Sequence, residues 1–451
     1  MQILNNAVMY VLSFQPYVLL PVIIFILALI FRIKIAVAIK SSFSIGIGFI
    51  GIFIVFDYFV KIVNPVVTAL VQRIGLHFNV LDTGWPPLSA ISWSFELAPI
   101  LVIIFIAINI LMLVLKLTKT VDIDIWNYWH VILASVMVYH VTNSVLLSIL
   151  SAAIAFIMVL KLAEWSAPLV NEISGMQGIC IPHLSAIAYF PPSVIINNLF
   201  DHVPFINKID LKTDNIQNKL GLFGEPMILG FIIGLLLGIA GGYTIKDIAE
   251  LSIGFAAVIF ILPIMCGFLG TALIPISEGM KDFINQNFPN LHQTFIGLDV
   301  AILFGLPSVI ITTLLLIPVS LILAFILPGI NFIPLGDLTN LMVPVAMICV
   351  ATKGNVFRSF IIGIPVVIGN LYIASAFANL FTDMAASSNY KIPDYNGLFT
   401  SFLDGGNFFR AWILKAFSGD VLGLALIPVV LGLMFTTWIL TKPTKQIDEK
   451  Q

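Results

Sequence analysis

The sequence predicts an all-α polytopic membrane protein of about 11 spanning helices, arranged as two five-helix halves of opposite orientation plus a C-terminal helix. Three observations predict it. The 451-residue chain is 60% hydrophobic and 10% charged, where a soluble domain carries about 25% charged residues. Apolar runs over 18–31, 100–115 and 309–327 approach or reach the ~20 residues that cross ~30 Å of hydrocarbon. Three short words also recur in the same order in the two halves of the chain.

Hydropathy and turn residues place spans at 17–31, 42–62, 96–115, 130–144, 145–162, 222–243, 250–272, 298–327, 341–356, 357–380 and 418–440. The first has no basic residue before it and no small-residue cleavage site after it, which marks a retained helix and not a secretory signal. Before the third, DTGWPP (82–87) sets Gly and Pro in an apolar setting and breaks the helix there. The polar cluster of 119–131 opens the fourth. A cytoplasmic loop, 166–219, follows the fifth and reads as a solvated surface able to dock a partner. Glu225, between Gly224 and Pro226, stands at the mouth of the sixth. FGLPS (304–308) breaks the eighth as DTGWPP breaks the third. Repeat one is thus 10–165 and repeat two 220–382, in a single transmembrane unit over 1–445 with a final helix at 418–440 and a tail at 441–451. With the N-terminus outside, fifteen Lys and Arg residues fall in the cytoplasm against six outside, and the odd span count leaves the C-terminus cytoplasmic.

The recurring words are SIGIGF (44–49) with SIGF (252–255), the Asp82 break with the Asp299 break, and DIWN (124–127) with DLTN (337–340), at offsets of 208, 217 and 213 residues. Five spans per half make the second copy enter from the opposite side. Irregular backbone at membrane depth must line protein or a wet cavity, so both broken segments are expected around one.

An acidic side chain at the bilayer centre costs about 2.5–3.5 kcal/mol. Asp82, Glu225, Asp299 and Asp337 are therefore expected to hold substrate hydroxyls of a sugar or polyol, with Asp124, Asn127 and Asn340 supporting them. Helix capping competes for Asp122, Asp124 and Asp337, and Asp57 and Glu96 fit membrane interfaces equally well. Trp85, Trp126 and Trp129 offer apolar faces to a sugar or belong to an interfacial aromatic belt. His130 and His183 are expected to reach the substrate, with a hydrogen-bonded structural role as the competing reading; His77, His202 and His292 fall in loops. No HExxH or comparable spacing joins the histidines, so neither metal nor cofactor is expected. The net charge of −2 gives no hint of nucleic-acid binding, and Cys180, Cys266 and Cys349 read as buried inert thiols. GxSxG, Walker and kinase signatures are missing, which argues against nucleotide hydrolysis by this polypeptide.

Read in order, VLDTGWPP, DIDIWNYWH, GICIPH, FGEP, IGLD, GLPSVI, GDL and ATKGNVFRS resemble the galactitol-type IIC component of the bacterial sugar phosphotransferase system over nearly the whole length. The resemblance implies the fold of the ascorbate and galactitol transporters: an inverted repeat plus a final helix, split into a scaffold and a moving core within a homodimer. It implies a permease of the bacterial inner membrane for galactitol or a related hexitol. Separate partners carry the phosphoryl group, IIB on a cysteine and IIA on a histidine, so the chain is a transport subunit and not the phosphotransferase. The same comparison brings the polar residues of DTGWPP, NYWH, IPH, GEP, GLD and GDL to the substrate by an elevator motion. An ion-coupled secondary transporter of a polyol or sugar is the competing reading. An intramembrane enzyme would need a nucleophile and base or a metal cluster, and neither is evident.

Overall fold

The structure is a computed structural model and describes residue 14 and residues 16–74, 78–209, 211, 225–287, 294–388 and 397–442. Helices dominate, because a segment in hydrocarbon must satisfy every N–H and C=O within itself. Helix α1 (Pro16–Ile30) turns at Arg32, which adopts φ 56°, into the long α2 (Ile35–Ile74). Strand β1 (Val80–Asp82) leads into α3 (Pro86–Ser94) and α4 (Ala98–Val114), which meet at 90°. Strand β2 (Thr120–Asp122) and a 3-10 turn at Ile125–Tyr128 precede α5 (Trp129–Thr142). Asn143, in the left-handed region that asparagine tolerates, ends α5, and Ser144 caps α6 (Val145–Ser174) by accepting from Leu147 N.

The chain continues through β3 (Ile179–Cys180), α7 (Leu184–Ile187), α8 (Phe190–Phe200), α9 (Pro226–Gly241) and α10 (Ile245–Asn287). Strand β4 (Phe295–Gly297) and a 3-10 turn at Val300–Leu303 open α11 (Pro307–Ile326). A second 3-10 turn, Thr339–Leu341, opens α12 (Met342–Ala351), followed by α13 (Val356–Ser387). Strand β5 (Leu398–Thr400), α14 (Phe408–Phe417), α15 (Val421–Ala425) and α16 (Ile427–Thr441) complete it. The strands pair in parallel across great sequence distances, β1 with β5 and β2 with β4 and β3.

Among the described residues, five helices are long and apolar enough to cross a membrane, and six if the bent α3–α4 pair is one broken span. Large apolar side chains are exposed on the outside while charged ones are buried within. Phe43 is 70% and Leu146 67% exposed, while Asp337 and Arg410 are buried at 0% and 1%. Exposed apolar side chains suit lipid, and buried polar ones must then find partners inside.

Helices α1, α2, α9 and α10 pack on one another as one layer. The second layer joins α5 to α6 and α3, α11 to α13, and α8 to α12 and α16. The layers meet at α11, which packs on α9 and α10, and where the 3-10 turns of the second layer face α1, α2 and α10.

Among the described residues each expected span overlaps a helix, the eighth only from Pro307 after a 3-10 turn, and several helices run past the expected ends, notably α2 and α6. Residues 184–200, expected within a solvated loop, form α7 and α8 instead. Tyr189 and Phe190 are fully buried there, and α8 packs on α12 and α16. The next stretch is tied down as well: Asn355 Nδ2 donates to Ile209 O, and Arg358 Nη1 donates to Asp201 Oδ1 at 2.6 Å.

Candidate functional site

The helix breaks are held by two aspartates that reach across the chain. Asp82 Oδ1 accepts from Gly84 N and Phe402 N at 3.2 and 3.0 Å, and its Oδ2 accepts from Gly336 N and Asp337 N at 2.9 and 3.1 Å. Asp337 returns the contact, accepting from Trp85 N and Asn340 Nδ2 at its Oδ1 and from Ser401 Oγ and Leu403 N at its Oδ2. One carboxylate thus satisfies four orphan backbone donors of three segments, the role buried irregular backbone demands. The DTGWPP break and the GDL segment (336–338) touch backbone to backbone. A Cβ on Gly336 would lie 2.5 Å from Asp82 O and from Gly84 N, and Gly84 itself holds φ 69°. Glycine is required at both positions.

A second crossing joins the other pair of words. Asp299 Oδ1 accepts from Ala301 N at 2.7 Å and caps its 3-10 turn, while Asp299 Oδ2 accepts from Asn127 Nδ2 at 2.7 Å. The same amide donates to Asp124 Oδ2 at 2.8 Å. Asn127 therefore bridges two buried carboxylates from opposite halves of the chain.

Between these crossings lies a cavity of about 530 Å³, within the range of small-molecule sites. Its polar lining includes Asn127, His130, His183, Asp299, Asn340 and Asp404, and its apolar lining includes Trp85, Trp126 and Trp129. Ile52, Phe53 and Asp57 of α2 close it from the other layer. Trp85 and Trp129 stack at 6.0 Å between centroids, and the Trp129 ring lies 3.6 Å from that of His130. Indole faces beside carboxylate, amide and imidazole suit a ligand that presents C–H on one face and hydroxyls on another.

A charged cluster forms part of the lining, where His130, Ser185 and Asp404 meet the cavity. His130 Nδ1 lies 3.1 Å from Asp404 Oδ1 and 2.8 Å from Ser185 Oγ. Ser185 Oγ donates to Asp404 Oδ1. Arg410 donates through Nη2 to Ser185 Oγ and Asp404 Oδ1, through Nη1 to Asp404 O, and through Nε to His130 O. A fully buried guanidinium requires such pairing.

The residues expected at the substrate divide in place. Trp85, His130, His183 and Asp299 line the cavity, as do Asn127 and Asn340. Asp82, Asp124 and Asp337 do not; each turns its carboxylate toward neighbouring amides. Glu225 begins α9, also outside the lining. His202 is exposed and bonds Asn198 O, Cys180 and Cys349 are buried, and His77, His292 and Gly224 lie outside the described residues. Sequence reading missed Asp404, Ser185 and Arg410. A signal existed in GNVFR (354–358) and GNFFR (406–410), where an asparagine caps a helix by accepting from the arginine N–H three residues on.

Residues 10–395 match the family described as the EIIC-GAT, PTS system sugar-specific permease component. The chain is 31% identical over 436 residues to the galactitol-specific EIIC component of the PTS system of Escherichia coli (strain K12), covering 96% of each. It is 34% identical over 420 residues to a provisionally assigned permease IIC component of the same organism, covering 92% of this chain and 94% of that one. A match over this much of the chain carries the membrane setting and the transport role together. The chain belongs to the EIIC-GAT family of sugar-specific permease components, the membrane transport subunits of the phosphotransferase system, with phosphoryl transfer carried by separate IIA and IIB proteins.

Proposed function

We propose that this permease takes up a hexitol, galactitol foremost, and releases it to a phosphorylated IIB partner on the cytoplasmic face. The observation that carries the reading is the cavity, whose lining combines three indoles with Asp299, His130, His183 and two amides. Galactitol is the substrate named for one relative of this chain, and a linear polyol offers the alternating C–H and O–H surfaces such a lining requires.

The site is built from two inverted copies of one unit within a protein of eleven spans. Support comes from the crossings. Asp82 and Asp299 each accept from the backbone N–H two residues on, and each also reaches the D-x-x-N word of the other half. In both D-x-x-N words the asparagine donates to its own aspartate, at 2.8 Å for Asn127 and 2.9 Å for Asn340. Alternating access proceeds by an elevator motion of the second layer against α1, α2, α9 and α10 in a homodimer, with the N-terminus outside and the C-terminus cytoplasmic. The cavity lies on the seam between those layers, which supports that motion. Once phosphorylated, the product is a dianion that Asp299 repels, so uptake runs one way.

Membrane vesicles supplied with phosphoenolpyruvate and the cognate IIA and IIB proteins test this with a panel of hexitols and pentitols. Galactitol phosphate should accumulate, and its formation should require phosphoenolpyruvate. Phosphorylation of another polyol alone would replace the substrate, and accumulation of free polyol driven by an ion gradient would overturn the reading.

A further inference from the structure

We propose that His130 is the base of phosphoryl transfer, taking the proton of the substrate hydroxyl at Nε2, and that Ser185, Asp404 and Arg410 are positioning residues that fix its tautomer. The inference rests on the reading of the cavity as the polyol site. The proton assignments follow from who can donate to whom. Arg410 has only donors, so at Ser185 Oγ, 3.0 Å from Nη2, the serine oxygen must accept. The single hydroxyl proton of Ser185 is committed to the Asp404 carboxylate. Ser185 Oγ and Asp404 Oδ1 therefore both accept from His130 Nδ1, which must carry the ring's proton. In the neutral ring Nε2 is then left with a lone pair.

That lone pair has no bond from any protein group among the described residues, and His130 lines the cavity. Serine and aspartate sit on the same ring nitrogen, whereas a nucleophilic triad needs them on opposite ones. Ser185 is thereby excluded as a nucleophile. Trp129 and His183, with ring centroids 3.6 and 4.3 Å away, hold the imidazole plane.

The step balances without an additional reactant. A substrate hydroxyl oxygen attacks the phosphorus of S-phosphocysteine on the partner, the O–P bond forms as the P–S bond breaks, and the sulfur leaves with the electron pair as thiolate. The hydroxyl proton passes to Nε2, and the imidazolium is stabilised by Asp404. Release of that proton to water resets the ring.

The test compares wild-type protein with H130Q, whose side-chain oxygen still accepts from a hydroxyl but cannot hold its proton at neutral pH. Both are assayed with the polyol that the wild type phosphorylates best, by equilibrium binding without phosphoenolpyruvate and by phosphorylation with IIA and IIB. Phosphorylation should fall on the order of 100-fold or more while affinity falls less than about tenfold, within the worth of one hydrogen bond. Added imidazole should restore part of the rate to H130A. D404N should lower the maximal rate more than the affinity. Phosphorylation by H130Q within about threefold of wild type, or binding and phosphorylation lost in equal measure, would overturn the proposal. A wild type that binds and phosphorylates no polyol would refute the underlying substrate reading instead.

Discussion

Replacing Asp82 by asparagine distinguishes a residue that holds the fold from one that holds the substrate. Its two oxygens accept four backbone N–H groups, two each. Asparagine keeps one oxygen and sets an NH₂ group against the other two donors. A buried donor left without an acceptor costs about 1–3 kcal/mol, so D82N loses about 2–6 kcal/mol, a large part of the 5–15 kcal/mol that keeps a typical domain folded. Allowing roughly 2 °C per kcal/mol for a chain of this size, the melting temperature of the detergent-solubilised protein should fall by about 4–12 °C. Polyol binding by the fraction that remains folded should stay close to wild type, since Asp82 does not line the cavity. The assay is a thermal melt followed by gel filtration, with binding measured on the monodisperse peak. An unchanged melting temperature with a tenfold loss of affinity would refute the reasoning and return Asp82 to the substrate.

The lining makes further predictions. D299N should raise the dissociation constant about tenfold, because Asp299 faces the cavity and is held there by Asn127, whereas E225Q should change it less than about threefold; equal losses in equilibrium binding would contradict that contrast. W85A removes one indole from the lining and its stacking on Trp129, a pair worth about 0.5–1.5 kcal/mol, so affinity should fall and the melt should come slightly earlier; unchanged binding would count against Trp85 as a substrate contact. G336A places a methyl group against the Asp82 and Gly84 backbone and should destabilise by about 1–3 kcal/mol, read as lower membrane yield and an earlier melt; wild-type yield would count against the close approach.

Much of this site was readable from residues alone, and for physical reasons. Carboxylates and Gly-Pro breaks stand out in an apolar chain because hydrocarbon tolerates them only beside partners. That identified Asp82, Asp124, Asp299 and Asp337 together, although only the contacts show that Asp299 lies on the cavity lining and the other three do not. The segment 398–410 escaped because its mixed composition carries no span-length apolar run, and because strand β5 of three residues finds β1 more than three hundred positions away. Hydropathy has no term for such a pairing. The same blindness hid α7 and α8, short helices whose burial comes from neighbours and not from length.

Protection of a cysteine at position 340 tests the location of the polyol most directly. Asn340 lines the cavity and is partly exposed, so N340C, in a background with the three native cysteines replaced, should react with a small maleimide. Galactitol should block the labelling with a half-protecting concentration equal to its binding constant. Labelling that proceeds unchanged at saturating galactitol, in protein that still binds the sugar, would place the substrate somewhere other than this cavity.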